Sequence, residues 1–315
     1  MKYFLLIFIV ISSLTSINAK AETETTCVRN ASGEIIVAAQ SNVVTDTDGN
    51  LGDACQEIPD VYRLQFYKVG LCTADPLASV QTDYSSCSFF LDSTSASILD
   101  ITMPASSSLP ITSLPAIGTY GYMVLLISNA LQLQHTEVFS ANVKGSDGVA
   151  GKYCSTNSNI TSYSGFKTQG VIGNPVNPTL DNAPGVVTTL GMTCGSTAPT
   201  AQFTTEYMDN FADDPSSDFV ADTPGAYTLT GGTMKGRLTQ VDNTTTATSA
   251  NNSERLAVVF TFTAPQTVTS ASQYDLNFKI QDSVSVDLSY HSDTSTIYAI
   301  KSGANPFQIY MGISN

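Results

Sequence analysis

Leu256-Ala257-Val258-Val259-Phe260-Thr261-Phe262-Thr263 begins the part of the chain whose reading decides the fold. Four further runs follow it, at residues 274–280, 284–290, 296–301 and 307–313. Asn251-Asn252, Ala264-Pro265 and Gly303-Ala304-Asn305-Pro306 punctuate them. Short β-branched and aromatic runs, separated by Gly, Pro and Asn at this spacing, predict a β-sandwich. Upstream, Val61-Tyr62-Arg63-Leu64-Gln65-Phe66-Tyr67-Lys68-Val69 alternates, with Tyr62, Leu64 and Phe66 on one face, and ends at Gly70. Residues 120–128 are apolar enough for a central strand, and residues 137–143 make another. The only plausible helices are short, such as residues 205–212, which Pro215 would stop. The fold class is therefore all-β, an Ig-like or pilin-like β-sandwich with long loops.

Cysteine usage divides the chain. Cys27, Cys55, Cys72, Cys87, Cys154 and Cys194 all precede residue 195. None forms a CxxC pair, so zinc and thioredoxin-type chemistry have little support. Nearest-neighbour pairing gives Cys27–Cys55, Cys72–Cys87 and Cys154–Cys194. The expected organisation is a disulfide-containing β domain at 45–197 and a cysteine-free β domain at 198–315, with one elaborated sandwich as the alternative. An N-terminal segment at 22–44 precedes both.

Residues 1–21 read as a cleaved secretory signal: Met1-Lys2, an apolar core over 3–10, and Ala19-Lys20-Ala21 as the small-x-small cleavage pattern. Even cysteine usage in an exported chain implies disulfides formed in an oxidising compartment. The expected location is extracellular, secreted or at the cell surface. No stretch of the mature chain is long and apolar enough for a membrane-spanning helix. The net charge of −14 becomes −16 once Lys2 and Lys20 are removed. Such a chain repels phosphate backbones, which argues against nucleic acid as a partner. The apolar share of 42% is enough to build a core.

The candidate sites are few. Asp46-Thr47-Asp48-Gly49-Asn50 spaces oxygen ligands as a calcium loop does, and Glu57 falls at its twelfth position. Asp46, Asp48, Asn50 and Glu57 are therefore candidate calcium ligands. Leu51 stands where that loop needs glycine, so an Asp-Gly turn is the competing reading. No other cofactor is expected. Glu206, Asp209, Asp213, Asp214, Asp218 and Asp222 form an acidic run, read as a solvated loop rather than as the carboxylate pair of a glycosidase. His135 and His291 are the only histidines, and no Gly-x-Ser-x-Gly elbow occurs, so an enzyme is not expected. Asn30, Asn159, Asn243 and Asn251 each begin an N-x-S/T triplet that would accept N-linked sugar in a glycosylating host.

Both ends carry β-type sequence. Phe307, Ile309, Met311 and Ile313 share one face of the last strand, while Ile35, Val37 and Ala39 lie in an apolar segment after a polar lead. An unpaired edge recruits such strands from a neighbour. These ends resemble those of pilins assembled by donor-strand exchange, although the penultimate Tyr is missing and the cysteines are three times as many. The resemblance implies a secreted structural subunit of a pilus-like filament, a homopolymer built by strand complementation. Residues 22–44 are the expected donor, and the C-terminal strand is expected to complete its own sheet. The alternatives are a surface adhesin or carbohydrate-binding module recognising surface glycans and, third, a secreted hydrolase.

Overall fold

The computed structural model describes residues 25–37, 54–103, 111–145, 149–158, 192–208, 210–211, 219–290, 297–304 and 307–315. They form an all-β fold of packed, mainly antiparallel sheets. One sheet runs in the order β1 (Thr25–Thr26), β2 (Ala54–Glu57), β15 (Val284–Tyr290), β16 (Ile297–Ala304), β7 (Thr136–Lys144), β8 (Ala150–Thr156), β9 (Met192–Gly195). The second runs β10 (Thr204–Tyr207), β6 (Ala130–Gln134), β3 (Val61–Cys72), β5 (Gly118–Ser128), β13 (Arg255–Val268), β12 (Gly232–Thr239), β11 (Tyr227–Leu229), with β4 (Cys87–Ile101) on the other flank of β3. A third, two-stranded ribbon pairs β14 (Gln273–Lys279) with β17 (Gln308–Ser314).

The second sheet is buried on both faces at its centre. Met123, Leu125 and Ile127 of β5 point into the main core, and Val124 and Leu126 into a smaller cluster with Tyr67, Leu77 and Val259. This explains why residues 120–128 read as continuously apolar. In β3, Tyr62, Leu64 and Phe66 face the main core, and so do Val69 and Leu71. The change from even to odd positions is a bulge, since the register with β4 and β5 shifts between Phe66 and Lys68. One extra residue exchanges the faces of everything after it. The ribbon closes the main core through rings: Phe278 lies 5.8 Å from Phe66, Phe307 5.6 Å from Tyr62, and Tyr274 4.7 Å from Phe90.

Several expectations are corrected. Residues 204–207 are not helical: Thr204 and Thr205 are buried, and β10 pairs with β6. A β-branched pair beside an open sheet edge gains more from the ladder than from a helical turn. Gly70 does not end β3, because the strand continues to Cys72 and the face of Gly70 is filled by the Phe89 ring, 2.7 Å from where a Cβ would stand. Ala264-Pro265 does not end β13 either. The register shifts between Thr261 and Gln266, so the proline sits in a bulge that needs no ladder N–H. Across the division near residue 197, β13 pairs β5, β15 pairs β2, and β16 pairs β7. Strands from both sides of that position share one continuous core.

Candidate functional site

The N-terminal segment expected to be a donor lies on its own chain. Asn30 builds the turn: its Oδ1 accepts the amides of Ser32 (2.9 Å) and Glu34 (3.0 Å), and its Nδ2 donates to Glu34 Oε2 (2.8 Å). Gly33 takes φ +80°, the left-handed conformation that the tight return requires. Arg29 is thereby set opposite Ile35 as an antiparallel bridge. Ile35 is fully buried, and Val37 is nearly so. The Ile35 amide donates to Val138 O, the Ser140 amide to Ile35 O, and the Val37 amide to Ser140 Oγ. Cys27, at the start of the segment, is bonded to Cys55 of β2.

An ion network lies under this hairpin, joining exposed Arg29 and half-buried Glu57 to buried Glu137. Arg29 Nη2 donates to both oxygens of Glu137, at 2.8 and 2.9 Å, and contacts Glu57 Oε1 at 2.8 Å. Its Nη1 donates to Gly33 O at 2.6 Å. On the far side, His135 Nε2 stands 3.3 Å from Glu137 Oε1, and neither ring nitrogen makes a hydrogen bond within the described structure. His135 and Glu137 are almost completely buried. Burial pushes the Glu57 carboxyl above its ordinary range; the Arg29 hydrogen bond pulls it back, and the charge on Glu137 opposes that pull. Burial alone would lower Arg29, but its hydrogen bonds to Glu137 and Glu57 hold it above the usual guanidinium value. Outside the network, Lys152 pairs with Glu34 at 2.7 Å.

Of the residues singled out in the sequence, the cysteines pair as expected: Cys27–Cys55, Cys72–Cys87 and Cys154–Cys194. These bonds fit an oxidising compartment. No helix among the described residues is long and apolar enough to cross a membrane. Asp46, Asp48 and Asn50 lie outside the described residues, and the Glu57 carboxylate is held by Arg29. Ala39, Asn159, His291, Asp209, Asp213, Asp214 and Asp218 also lie outside them, as do residues 1–24. Phe307 and Ile309 are buried in their own chain, and Met311 and Ile313 pack against the same core. Asp222 pairs with Arg237, with Nε 2.6 Å from Oδ1. Asn251 is exposed, Asn30 is occupied in its turn, and Asn243 adopts φ 72° with a buried Oδ1. Sequence reasoning missed the Arg29–Glu57–Glu137–His135 network, because its members come from three distant segments and carry no motif. Comparison with protein-family models, curated proteins and solved structures found no match.

Proposed function

We propose that the protein is a secreted structural subunit of an extracellular, pilus-like filament, in which residues 25–37 of one copy complement the sheet of the next. The observation that carries this reading is how the segment is seated. It is a self-contained hairpin, inserted by Ile35 and Val37 beside β7 and held by a handful of main-chain hydrogen bonds. The same segment of a second copy offers the same side chains and the same amides, so exchange conserves every contact while joining two chains. The all-β scaffold and the disulfides suit a subunit that must persist outside the cell.

Exchange has a covalent signature. When the segment moves to a neighbour, Cys27 meets that neighbour's Cys55, and the bond becomes intermolecular. The test is negative-stain microscopy of the exported protein, with gel electrophoresis in denaturant with and without reductant. Regular fibres and a ladder that collapses to monomer on reduction are expected. Fibres whose subunits separate without reductant would place the joint elsewhere, and a protein that stays monomeric would end the filament reading.

A further inference from the structure

On β12 the side chains divide between two faces. Met234 and Leu238 turn to the main core, while Lys235 and Arg237 stand opposite Val259 and Ala257 of β13, both members of the smaller cluster. The β3–β4 connection, stapled at its base by Cys72–Cys87, sets Leu77 into the same cluster. Two cations hold it there. Lys235 Nζ donates to Asp75 Oδ2 at 2.6 Å, and Arg237 Nη1 donates to the carbonyls of Ser79 and Val80 at 2.5 and 3.2 Å. Along the edge of β12 away from β13, Asp222 bridges Arg237, whose Nε and Nη2 grip both carboxylate oxygens at 2.6 and 3.2 Å. Between these walls lies a pocket of about 310 Å³, lined by Asp222, Lys235 and Arg237 together with Leu77, Gly225 and Ala226.

We propose that this pocket binds one ring of a neutral carbohydrate through its hydroxyls. Its volume lies at the small end of the range for ligand sites, which suits a single ring. Its charges sum to zero once Asp75 is counted, because each of the two cations is already paired with a carboxylate. A charged ligand would have to compete with one of those pairs. Breaking the Arg237 pair is costly, since that side chain is only 7% exposed. A hydroxyl needs no such exchange, being donor and acceptor at once. The Lys235 ammonium uses one of its three N–H groups on Asp75. Each Asp222 oxygen accepts one bond from Arg237 and keeps a further lone pair, on a carboxylate that is 52% exposed. Neighbouring hydroxyls of one sugar, the first accepting from Lys235 and the next donating to Asp222, meet both. Leu77 and Ala226 offer apolar contact to the C–H groups between them. The polar groups are set before a ligand arrives: Asp222, Ser79 and Val80 fix Arg237, and the Leu77 amide fixes Asp75 at 2.9 Å. Such preorganisation lowers the ordering cost of binding. The pocket lies on the second sheet and residues 25–37 on the first, so the inference stands whether or not subunits polymerise.

Saturation-transfer NMR on the exported, oxidised protein tests this. The neutral probes are D-glucose, D-galactose, D-mannose and N-acetyl-D-glucosamine, and the charged ones are D-glucuronate and glycine. At least one neutral sugar should take up saturation, with a dissociation constant of roughly 1 mM, and the charged probes should bind more weakly. Two variants place the site. A Cβ on Gly225 would meet nothing within 4 Å, so Gly225→Leu adds bulk to the pocket wall without disturbing its neighbours. It should weaken sugar binding by about tenfold or more while the thermal midpoint stays at the wild-type value. Lys235→Met removes the donor and should weaken binding to a similar degree. If Lys235→Met does not fold, Gly225→Leu decides. No saturation of any neutral sugar would overturn the proposal. Tighter binding of glucuronate or glycine would overturn the ligand class, and undiminished sugar binding in Gly225→Leu would overturn the site.

Discussion

The side-chain amide of Asn129 donates to the main-chain carbonyl of Ser253 across 2.6 Å, inside the second sheet where β5 ends and β6 begins. The same nitrogen reaches Met208 O at 3.3 Å, while the Asn129 main chain bonds Glu254 and Met208. Here β13, paired with β5, gives way to β10, paired with β6, and one buried amide bridges the gap between the two ladders. Asn129→Ala should cost about 1–3 kcal/mol, because buried carbonyls lose their donor. Asn129→Asp should cost more, since it sets a carboxylate against those carbonyls. Urea titrations of the two variants check the order; a milder Asp variant would show that the donor is not what matters.

A glycine contrast tests the packing. A Cβ on Gly151 would stand 2.0 Å from the carbonyl oxygen of Gly195, so β9 would have to move. Gly121, opposite the β13 bulge, has nothing within 4 Å. Gly151→Ala is expected to destabilise by about 1–3 kcal/mol, as overpacking does. Gly121→Ala should be neutral or mildly stabilising. Thermal melts of both variants distinguish a steric effect from a general dislike of Ala in these strands.

Alkylation of the exported protein without reductant should label no cysteine, since all six are paired. The bonds should differ in worth. Cys154–Cys194 spans a sequence separation of 40 and Cys72–Cys87 one of 15. Loop entropy predicts about 4 kcal/mol for the first and about 3 kcal/mol for the second. Paired Cys→Ser variants compared by urea midpoint measure this. A larger loss for the short loop would indicate that strain or residual structure outweighs chain entropy.

How far the sequence was readable follows from the range of the forces involved. Alternation at Tyr62, Leu64 and Phe66, and the apolar run at residues 120–128, disclosed β3 and β5, because burial of one or both faces is written locally. Nearest-neighbour cysteine pairing succeeded because Cys72 and Cys87 lie opposite each other on adjacent strands, as do Cys154 and Cys194. The polar stretch Ser93-Thr94-Ser95-Ala96-Ser97 gave no hint that β4 runs through it, since an edge strand with exposed residues needs no apolar signal. Tyr67 as a bulge, β10 as a strand, and the Arg29 network are all set by partners far along the chain. The cis docking of Ile35 was hidden for the same reason: its register with Val138 and Ser140 depends on the turn at Gly33 and on a groove built elsewhere.

Arg29 is the cation shared by Glu57 and Glu137. Arg29→Met leaves Glu57 and Glu137 without their shared cation, and because the Glu137 carboxylate is buried this should cost about 3 kcal/mol at pH 7.5, as stranding a buried charge does. Burial already raises Glu57, and without the Arg29 hydrogen bond that pulls it back its carboxyl would bind a proton more tightly folded than unfolded. A raised carboxyl adds stability as pH falls through its folded value, completing the gain below its unfolded one. The gap between variant and wild type should therefore narrow from pH 7.5 to pH 4.5. A constant gap would mean that the loss is packing alone.

The C-terminal strand should behave as structure rather than as a donor. Phe307 packs its ring 5.6 Å from Tyr62 and 6.0 Å from Phe278, and Ile309 is fully buried opposite Phe278 in the ribbon. Asn315 adds a clasp at the end, donating to Thr267 O at 3.1 Å and accepting from Thr269 Oγ1 at 3.2 Å. Removing β17 would uncover Leu276 and Phe278, which no other described strand covers by pairing. Phe307→Ala is expected to lower stability by about 3–5 kcal/mol, the usual cost of emptying an aromatic core position. The denaturant midpoint should fall while the slope is unchanged, because the surface exposed on unfolding is nearly the same. Whatever fraction remains folded should still assemble as the wild type does. If instead the variant kept its monomer stability and lost assembly, β17 would be the strand exchanged between copies, and residues 25–37 would be a permanent part of their own sheet.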